Sequence, residues 1–324
     1  ALQASADIFD DPAIFDYIQK SLDHVSESPV KDSGFPVRYS PENNRWGSPD
    51  HVSQGQGLYN IGMAIRYAGE NGAYNTEKWE KFFISASNAH AKRILGNKWY
   101  PRSTAEAFYI APLTIAYKLY GDKIFYDAAT KATDHFAERH LSMEEPYWGG
   151  TLDARGEDKE GAWAAFQGFL YAYEMTGSRN YLDFAKHALD VCLSYVVVWD
   201  IPLPPGRMTD HAFKTRGWTV VSPQNQHLDV YGVFYSPEVY KMGLILEENS
   251  LLKLAKVMFR SCGQIIDPYG SQGEQIQQTN FGQYGKNDDV RLLRGAYSEP
   301  WTVFWITAHF LNAGARFIEM DVDL

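Results

Sequence analysis

A two-helix unit recurs along this chain, and a recurring unit constrains the fold more tightly than composition does. Four segments share one layout: GLYNIGMAIRYAGENGAYNTEKWEKFFISASNAHAKRIL, AFYIAPLTIAYKLYGDKIFYDAATKATDHFAERHL, WAAFQGFLYAYEMTGSRNYLDFAKHALDVCLSYV and YGVFYSPEVYKMGLILEENSLLKLAKVMFRSCGQI. Each opens with an apolar, aromatic and small-residue stretch of helical length. Each then passes a turn signal (GENGAYN, GDK, GSRN or EEN) and closes with an amphipathic helix charged on one face. A helix that is apolar nearly all round is buried on all sides, whereas one with a polar stripe faces solvent. The unit therefore predicts an inner helix followed by an outer one.

A fifth inner-type stretch, WTVFWITAHFLNAGARF, closes the chain at 301–317, and an outer-type helix, PAIFDYIQKSLDHV, opens it at 12–25. Pairing the last inner helix with the first outer one closes the repeats into a ring, an all-α fold of the α/α-toroid type. Residues 1–324 are expected to form this single domain. Five helix pairs are visible, and the sixth pair of an (α/α)6 barrel is expected in the irregular 197–229 or 268–299 stretch, with a short strand at GWTVV, the alternative being an incomplete or truncated ring. An open solenoid is the competing architecture. Solenoid repeats are regular in length, whereas the inner helices here start at 58, 108, 163, 231 and 301, at intervals of 50, 55, 68 and 70. Loops as long as those before the later inner helices are usually functional in a compact domain.

Chemistry collects just before the inner helices. With Leu58, Phe108, Trp163, Tyr231 and Trp301 as anchors, the residues two positions earlier are Gln56, Glu106, Gly161, Asp229 and Glu299, and Glu160 is one residue off that register. In a ring all inner helices run the same way, so these entrances converge on one end of the axis. There the free N–H groups and positive dipole ends of the helices suit polar and anionic ligands. Capping is the plain alternative for any one acid. The run DARGEDKEG, with Asp153, Asp158 and Glu160, reads first as solvated loop. Six tryptophans (Trp46, Trp99, Trp148, Trp163, Trp218, Trp301) lie in or beside the entrance segments. Aromatic residues make up 15% of the chain, and flat apolar rings suit the C–H faces of pyranoses.

Paired carboxylates across a cleft are the equipment of glycoside hydrolysis, one protonated and one ionised. On this reading Asp229 is general acid or base and Glu299 its partner, with Glu106 and His227 as further catalytic candidates. Trp163, Trp301, Trp148 and Tyr231 would contact the sugar, with Gln56, Gln226 and His51 as polar contacts. Arg155, Arg291 and Arg294 lie in entrance loops, as does Arg102, and arginine is the bidentate partner of carboxylates. A uronic-acid substrate follows, unless these arginines pair with the local acids. A lyase would instead use His227 or Tyr231 to abstract the proton beside a uronate carboxylate that arginine neutralises. A non-catalytic sugar- or protein-binding scaffold is the reading from another class.

Several classes are disfavoured. The net charge of −10 and the absence of a basic run give no footprint for a phosphate backbone, so nucleic acid is not an expected partner. No apolar stretch approaches the roughly 20 residues of a membrane span. Cys192 and Cys262 stand in no metal-type spacing and are read as buried free thiols. No HxxxH or HExxH ligand spacing, phosphate-binding loop or dinucleotide fingerprint is present, so neither metal nor cofactor is expected. The chain begins ALQASADIF, without Met or a charged, then apolar leader. Either a targeting segment has been removed or this is a piece of a longer chain, and a periplasmic or secreted location is expected.

The aromatic inner helices, the amphipathic outer helices and WGG before an acidic loop resemble the (α/α)6-toroid carbohydrate-active enzymes. Within that group, YWGGTLDARG and EGAWAAFQGFLYAYEMTGSRNYLDFAKHAL resemble the unsaturated uronyl hydrolases and, more distantly, the N-acylglucosamine 2-epimerase-like proteins. The resemblance to the hydrolases implies an inner-helix aspartate as general acid/base, a role that Asp229 matches by position. The epimerases use paired histidines at helix ends, for which only His227 and His309 could stand in here.

Overall fold

A computed structural model describes residues 2–47, 51–101, 103–142, 158–202, 209, 212–222, 228–265, 275–276 and 305–324 of the chain. They cluster into two compact units, Leu2–Leu189 and Asp190–Leu324.

The first unit opens with α1 (Leu2–Phe9) and α2 (Pro12–Val25). Asp11 caps α2 by accepting the Ala13 amide at 2.9 Å, and Pro12 supplies a pre-set φ where no amide is needed. A two-residue hairpin, β1 (Tyr39–Ser40) and β2 (Arg45–Trp46), follows, with Trp46 stacked on His24 at 5.5 Å. Inner and outer helices then alternate: α3 (His51–Asn71), α4 (Glu77–Leu95), a 3-10 turn (Thr104–Tyr109) running into α5 (Ile110–Tyr120), α6 (Lys123–Ser142), α7 (Lys159–Thr176) and α8 (Arg179–Ser194). The unit division falls near the end of α8.

Burial follows the predicted division of labour. The inner helix α7 is buried without a break from Lys159 to Ala172. The outer helix α4 buries only the stripe Trp79, Phe82, Phe83, Ala86, Ser87, His90, Ala91 and Ile94, the i, i+3, i+4, i+7 spacing of a one-sided helix. Burying Trp79 and the two phenylalanines contributes on the order of 2 kcal/mol each.

Contacts fix the directions. A Cβ on Gly55 would stand 2.8 Å from Phe108, and one on Gly62 would stand 3.1 Å from Ile115, so α3 and the 3-10/α5 helix advance in step. Phe108 meets Trp163, and Ile110 meets Gly168, so α5 and α7 also run parallel. Outer α4 runs the other way, since Gln54 meets His90 while Gly62 meets Phe83. The glycines matter because they let inner helices approach more closely than any side chain allows. Gly121 (φ 72°) and Gly177 (φ 70°) end α5 and α7 in the left-handed conformation, the GDK and GSRN turns of the sequence.

The second unit contains α9 (Gly232–Leu246), α10 (Asn249–Cys262) and α11 (Trp305–Glu319). Phe234 faces His309, Glu238 faces Arg316 and Tyr240 faces Phe317, so α9 and α11 are parallel. Gly243 packs on Leu251 and Leu252, and Gly232 on Met258, so α10 is antiparallel to α9. A small sheet precedes α9, in which β4 (Leu228–Asp229) lies between β3 (Thr219–Val220) and β5 (Gln275–Ile276). The strand expected at GWTVV is β3. Apart from β5, the 268–299 stretch that could hold a sixth helix pair lies outside the described residues. Cys192 and Cys262 are buried free thiols, as expected.

Candidate functional site

Two boundary expectations change. Leu58 is not the start of its helix: α3 begins at His51, and Gln56 sits inside the second turn with its carbonyl bonded to Asn60 at 3.0 Å. Asp229 lies in strand β4, not in a first helical turn, and α9 starts at Gly232.

Because α3, the 3-10/α5 helix and α7 are parallel, their starts share one end of the first unit. Gln54, Glu106 and the run Asp158–Lys159–Glu160 occupy those starts. Gln54 is fully buried, and its Oε1 accepts both the Phe35 amide (2.8 Å) and a bond from His90 Nε2 (3.1 Å). The Phe35 N–H requires an acceptor, which fixes the orientation of the Gln54 amide and makes His90 Nε2 the donor. Gly34 (φ 94°) allows this approach, since a Cβ there would overlap Gln54 Oε1. His90 packs on Tyr109 at 4.2 Å, and Arg93 lies over the other part of that cluster, 5.0 Å from the Tyr109 ring. Arg93 Nη1 donates to Glu106 Oε2 at 2.7 Å. Glu106 is thus oriented by an arginine of the neighbouring outer helix.

The end of the charged run, at α7, is not the solvated loop expected of it: Asp158, Lys159 and Glu160 are 1%, 1% and 5% exposed, and Asp153 lies outside the described residues. Asp158 caps the helix by accepting the Gly161 amide at 2.8 Å. The 3-10 turn packs along the first turns of α7, with Phe108 edge-to-face on Trp163 at 5.0 Å, so the run is enclosed where it stands. Trp163 is buried in this contact instead of presenting an open ring. The sequence signal for this enclosure was the apolar and small run GAWAAF directly after the acids, which leaves no room for a solvated turn.

In the second unit Asp229 is fully buried. Its Oδ1 accepts a hydrogen bond from the Thr219 hydroxyl across the β3–β4 pair and another from the Tyr231 amide at 3.1 Å. Tyr231 stacks on Phe234 at 4.7 Å. Burial, reinforced by Cys192 and Asp229 nearby, pushes the Tyr235 hydroxyl well above its usual range. A buried ion pair that the sequence reading missed joins Glu238 of α9 to Arg316 of α11. Its signal was Glu238 inside the apolar run GVFYSPEV and Arg316 in the last turn of the largely apolar α11.

Trp148, Arg155, Gln226, His227, Arg291, Arg294, Glu299 and Trp301 lie outside the described residues, as do Arg102 and the side chain of His51. Among the described residues no cluster of His, Cys, Asp and Glu could hold a metal ion, and no helix is long and apolar enough to cross a membrane. A cavity of about 410 Å³ lies away from the entrances, lined by the end of α3, the start of α4 and the end of α5. Its acids are engaged locally, Glu70 with Arg66 at 3.9 Å and Glu80 with the Thr76 hydroxyl at 2.5 Å.

No protein-family model and no curated protein matches the sequence. Solved structures do match by fold. A glycoside hydrolase family 76 mannosidase from Bacteroides thetaiotaomicron is 13% identical over 94% of this chain and 81% of its own, with a TM-score of 0.56. An unsaturated glucuronyl hydrolase from Streptococcus agalactiae is 15% identical over 87% of this chain and 74% of its own, with a TM-score of 0.52. The unsaturated glucuronyl hydrolase of Bacillus sp. GL1 is 13% identical with a TM-score of 0.50, over 71% of this chain, which spans 62% of that enzyme. The fold is accordingly that of the α/α-toroid carbohydrate-active enzymes.

Proposed function

We propose that the chain is a glycoside hydrolase acting on an oligosaccharide, with uronic-acid-containing chains as the first substrate class. The observation that carries this reading is the enclosure of carboxylates at helix entrances. Glu106, Asp158 and Glu160 stand at such entrances in the first unit, and Asp229 precedes α9 in the second. Acids held out of water beside aromatic rings are what general acid/base cleavage of a glycosidic bond requires. Asp229 is the first candidate for acid or base, with Glu299 as its partner and Glu106 and His227 as further catalytic groups. Trp301, Trp148, Tyr231, Gln56, Gln226 and His51 are assigned to the sugar, whereas Trp163, buried against Phe108, is assigned to packing beneath the acids. Arg155, Arg291 and Arg294 are assigned to a uronate carboxylate. Uronic acid is favoured by these arginines and by the likeness to glucuronyl hydrolases, and α-mannan, from the likeness to a family 76 α-1,6-mannanase, is the second class to try. A periplasmic or secreted location is part of the proposal.

The test is incubation of the wild type and Asp229→Asn with uronic-acid oligosaccharides and α-mannan. New reducing ends without ultraviolet absorbance from an unsaturated product support the hydrolase. Absorbance would make the chain a lyase, and binding without turnover would make it a scaffold. Full turnover by Asp229→Asn would remove Asp229 from the chemistry.

A further inference from the structure

The stretch between α8 and α9 carries two tryptophans with opposite fates. Trp218 is fully buried and donates its indole N–H to the Ser261 carbonyl at 3.2 Å. Trp199 is 61% exposed, and Val198 beside it is equally so. An indole in water gives up a large apolar contact area, so a rigidly held, exposed one is a feature to explain.

The backbone under Trp199 is held from several sides. The Val197 amide donates to the Trp218 carbonyl and the Gly217 amide to the Val197 carbonyl, both at 2.8 Å. The Thr215 hydroxyl donates to the Trp199 carbonyl at 2.9 Å and accepts the Ile201 amide at 2.8 Å. Gln264 clamps the opposite strand, accepting the Lys214 amide at 2.9 Å and donating to the Lys214 carbonyl at 2.8 Å. Gly217 (φ 84°) lies so close to α10 that a Cβ would stand 2.9 Å from the Met258 backbone. Trp199 is thus presented by a backbone segment anchored to residues 215–220.

Charge lies beside it. Asp200 accepts from Arg216 Nε at 3.1 Å, with Lys214 Nζ at 3.6 Å, so two cations share one carboxylate. Burial alone would raise the Asp200 carboxyl, but the Arg216 hydrogen bonds and the charges of Arg216 and Lys214 outweigh it and hold it lower than usual. Both cations are more than half exposed, so among the described residues two positive charges face one negative on a chain of net charge −10.

The position relates this patch to Asp229. Val196 pairs with Thr219, and Thr219 pairs with Asp229, so the three stand in one row of the sheet. Two strand spacings put the Val196 and Asp229 backbones roughly 10 Å apart, and Trp199 lies up to roughly 10 Å further along the chain. An oligosaccharide spans such a separation, whereas a single sugar does not.

We propose that Trp199, Arg216 and Lys214 form a distal sugar-binding subsite for an anionic pyranose unit, with its C–H face on the indole and its carboxylate at the two cations. The proposal rests on the hydrolase reading for its choice of ligand. The experiment is calorimetric titration of the full chain with an oligogalacturonide and with its carboxyl-reduced neutral counterpart. Trp199→Ala weakens both by about tenfold, the worth of a lost ring contact. The double variant Lys214→Met/Arg216→Met weakens only the anionic ligand and removes its salt dependence. Unchanged melting temperatures show that the variants fold. Wild-type affinity in Trp199→Ala, or binding of neither glycan by the wild type, overturns the subsite. Turnover with binding independent of Trp199 sinks the subsite and leaves the hydrolase. Trp199-dependent binding without turnover does the reverse.

Discussion

Arg93, on an outer helix, holds Glu106 at the start of an inner one through a 2.7 Å hydrogen bond, with both side chains largely shielded from water. The pair separates stability from chemistry. Arg93→Met leaves a shielded carboxylate without its cation and lowers stability by about 2 kcal/mol. Glu106→Gln keeps an acceptor for Arg93 and costs less than about 1 kcal/mol. If Glu106 takes part in proton transfer, that second variant loses about 100-fold or more in turnover. Denaturant melts and rates of the two variants read the outcome, and a stable, fully active Glu106→Gln removes Glu106 from the site.

Two glycines of the same helix give opposite signs. Gly69 has nothing within 4 Å of an added Cβ, so Gly69→Ala stabilises by up to about 1 kcal/mol through helix propensity. Gly62 would set that carbon 2.8 Å from Phe83 and 3.1 Å from Ile115, so Gly62→Ala destabilises by about 1–3 kcal/mol. Thermal unfolding of both variants decides it, and stabilisation by Gly62→Ala would show that the inner helices have room to part.

Burial lowers the pKa of His309 in α11 from its usual 6.5 to about 3. The folded state therefore resists a proton that the unfolded chain accepts. The stability this gives is complete above about pH 6.5 and is lost progressively as the pH falls toward 3. His309→Gln flattens that part of the stability profile measured between pH 7 and 4. A profile of the same slope in the variant would assign the acid loss to other groups.

Gln54 Oε1 accepts from both Phe35 and His90, so Gln54→Leu takes the acceptor of the Phe35 amide and one hydrogen bond from His90. The expected loss is about 2–3 kcal/mol, with faster amide exchange at Phe35 as its local signature. Retained protection at Phe35 would show that another acceptor takes over.

The helices were legible where the cause is local. The opening helix at 12–25 was readable because Asp11, Pro12 and the apolar period act within one turn, and the GDK and GSRN turns because glycine alone tolerates the φ of Gly121 and Gly177. The entrances were less so. His51–Gly57 has no apolar period, and it is helical because Gly55 fits against Phe108, far away in sequence. The run at 158–160 looks solvated until the 3-10 turn is laid along it. Asp229 is a strand residue because of Thr219, ten positions earlier. Trp199 and Trp218 look alike in sequence, and only the pairing of Val197 with Gly217 and Trp218 decides which ring faces water.

The turn after α7 offers a place to cut or extend the molecule. Gly177 has open space around it, and the Ser178 amide donates to the Thr176 hydroxyl at 3.2 Å while its carbonyl accepts the Tyr181 and Leu182 amides. Since α7 starts at the acid-bearing end, this turn lies a full helix length from Asp158 and Glu160. New termini, a reporter domain or a surface tether introduced between Gly177 and Ser178 would leave those acids undisturbed, which makes this loop the natural handle for immobilising the protein.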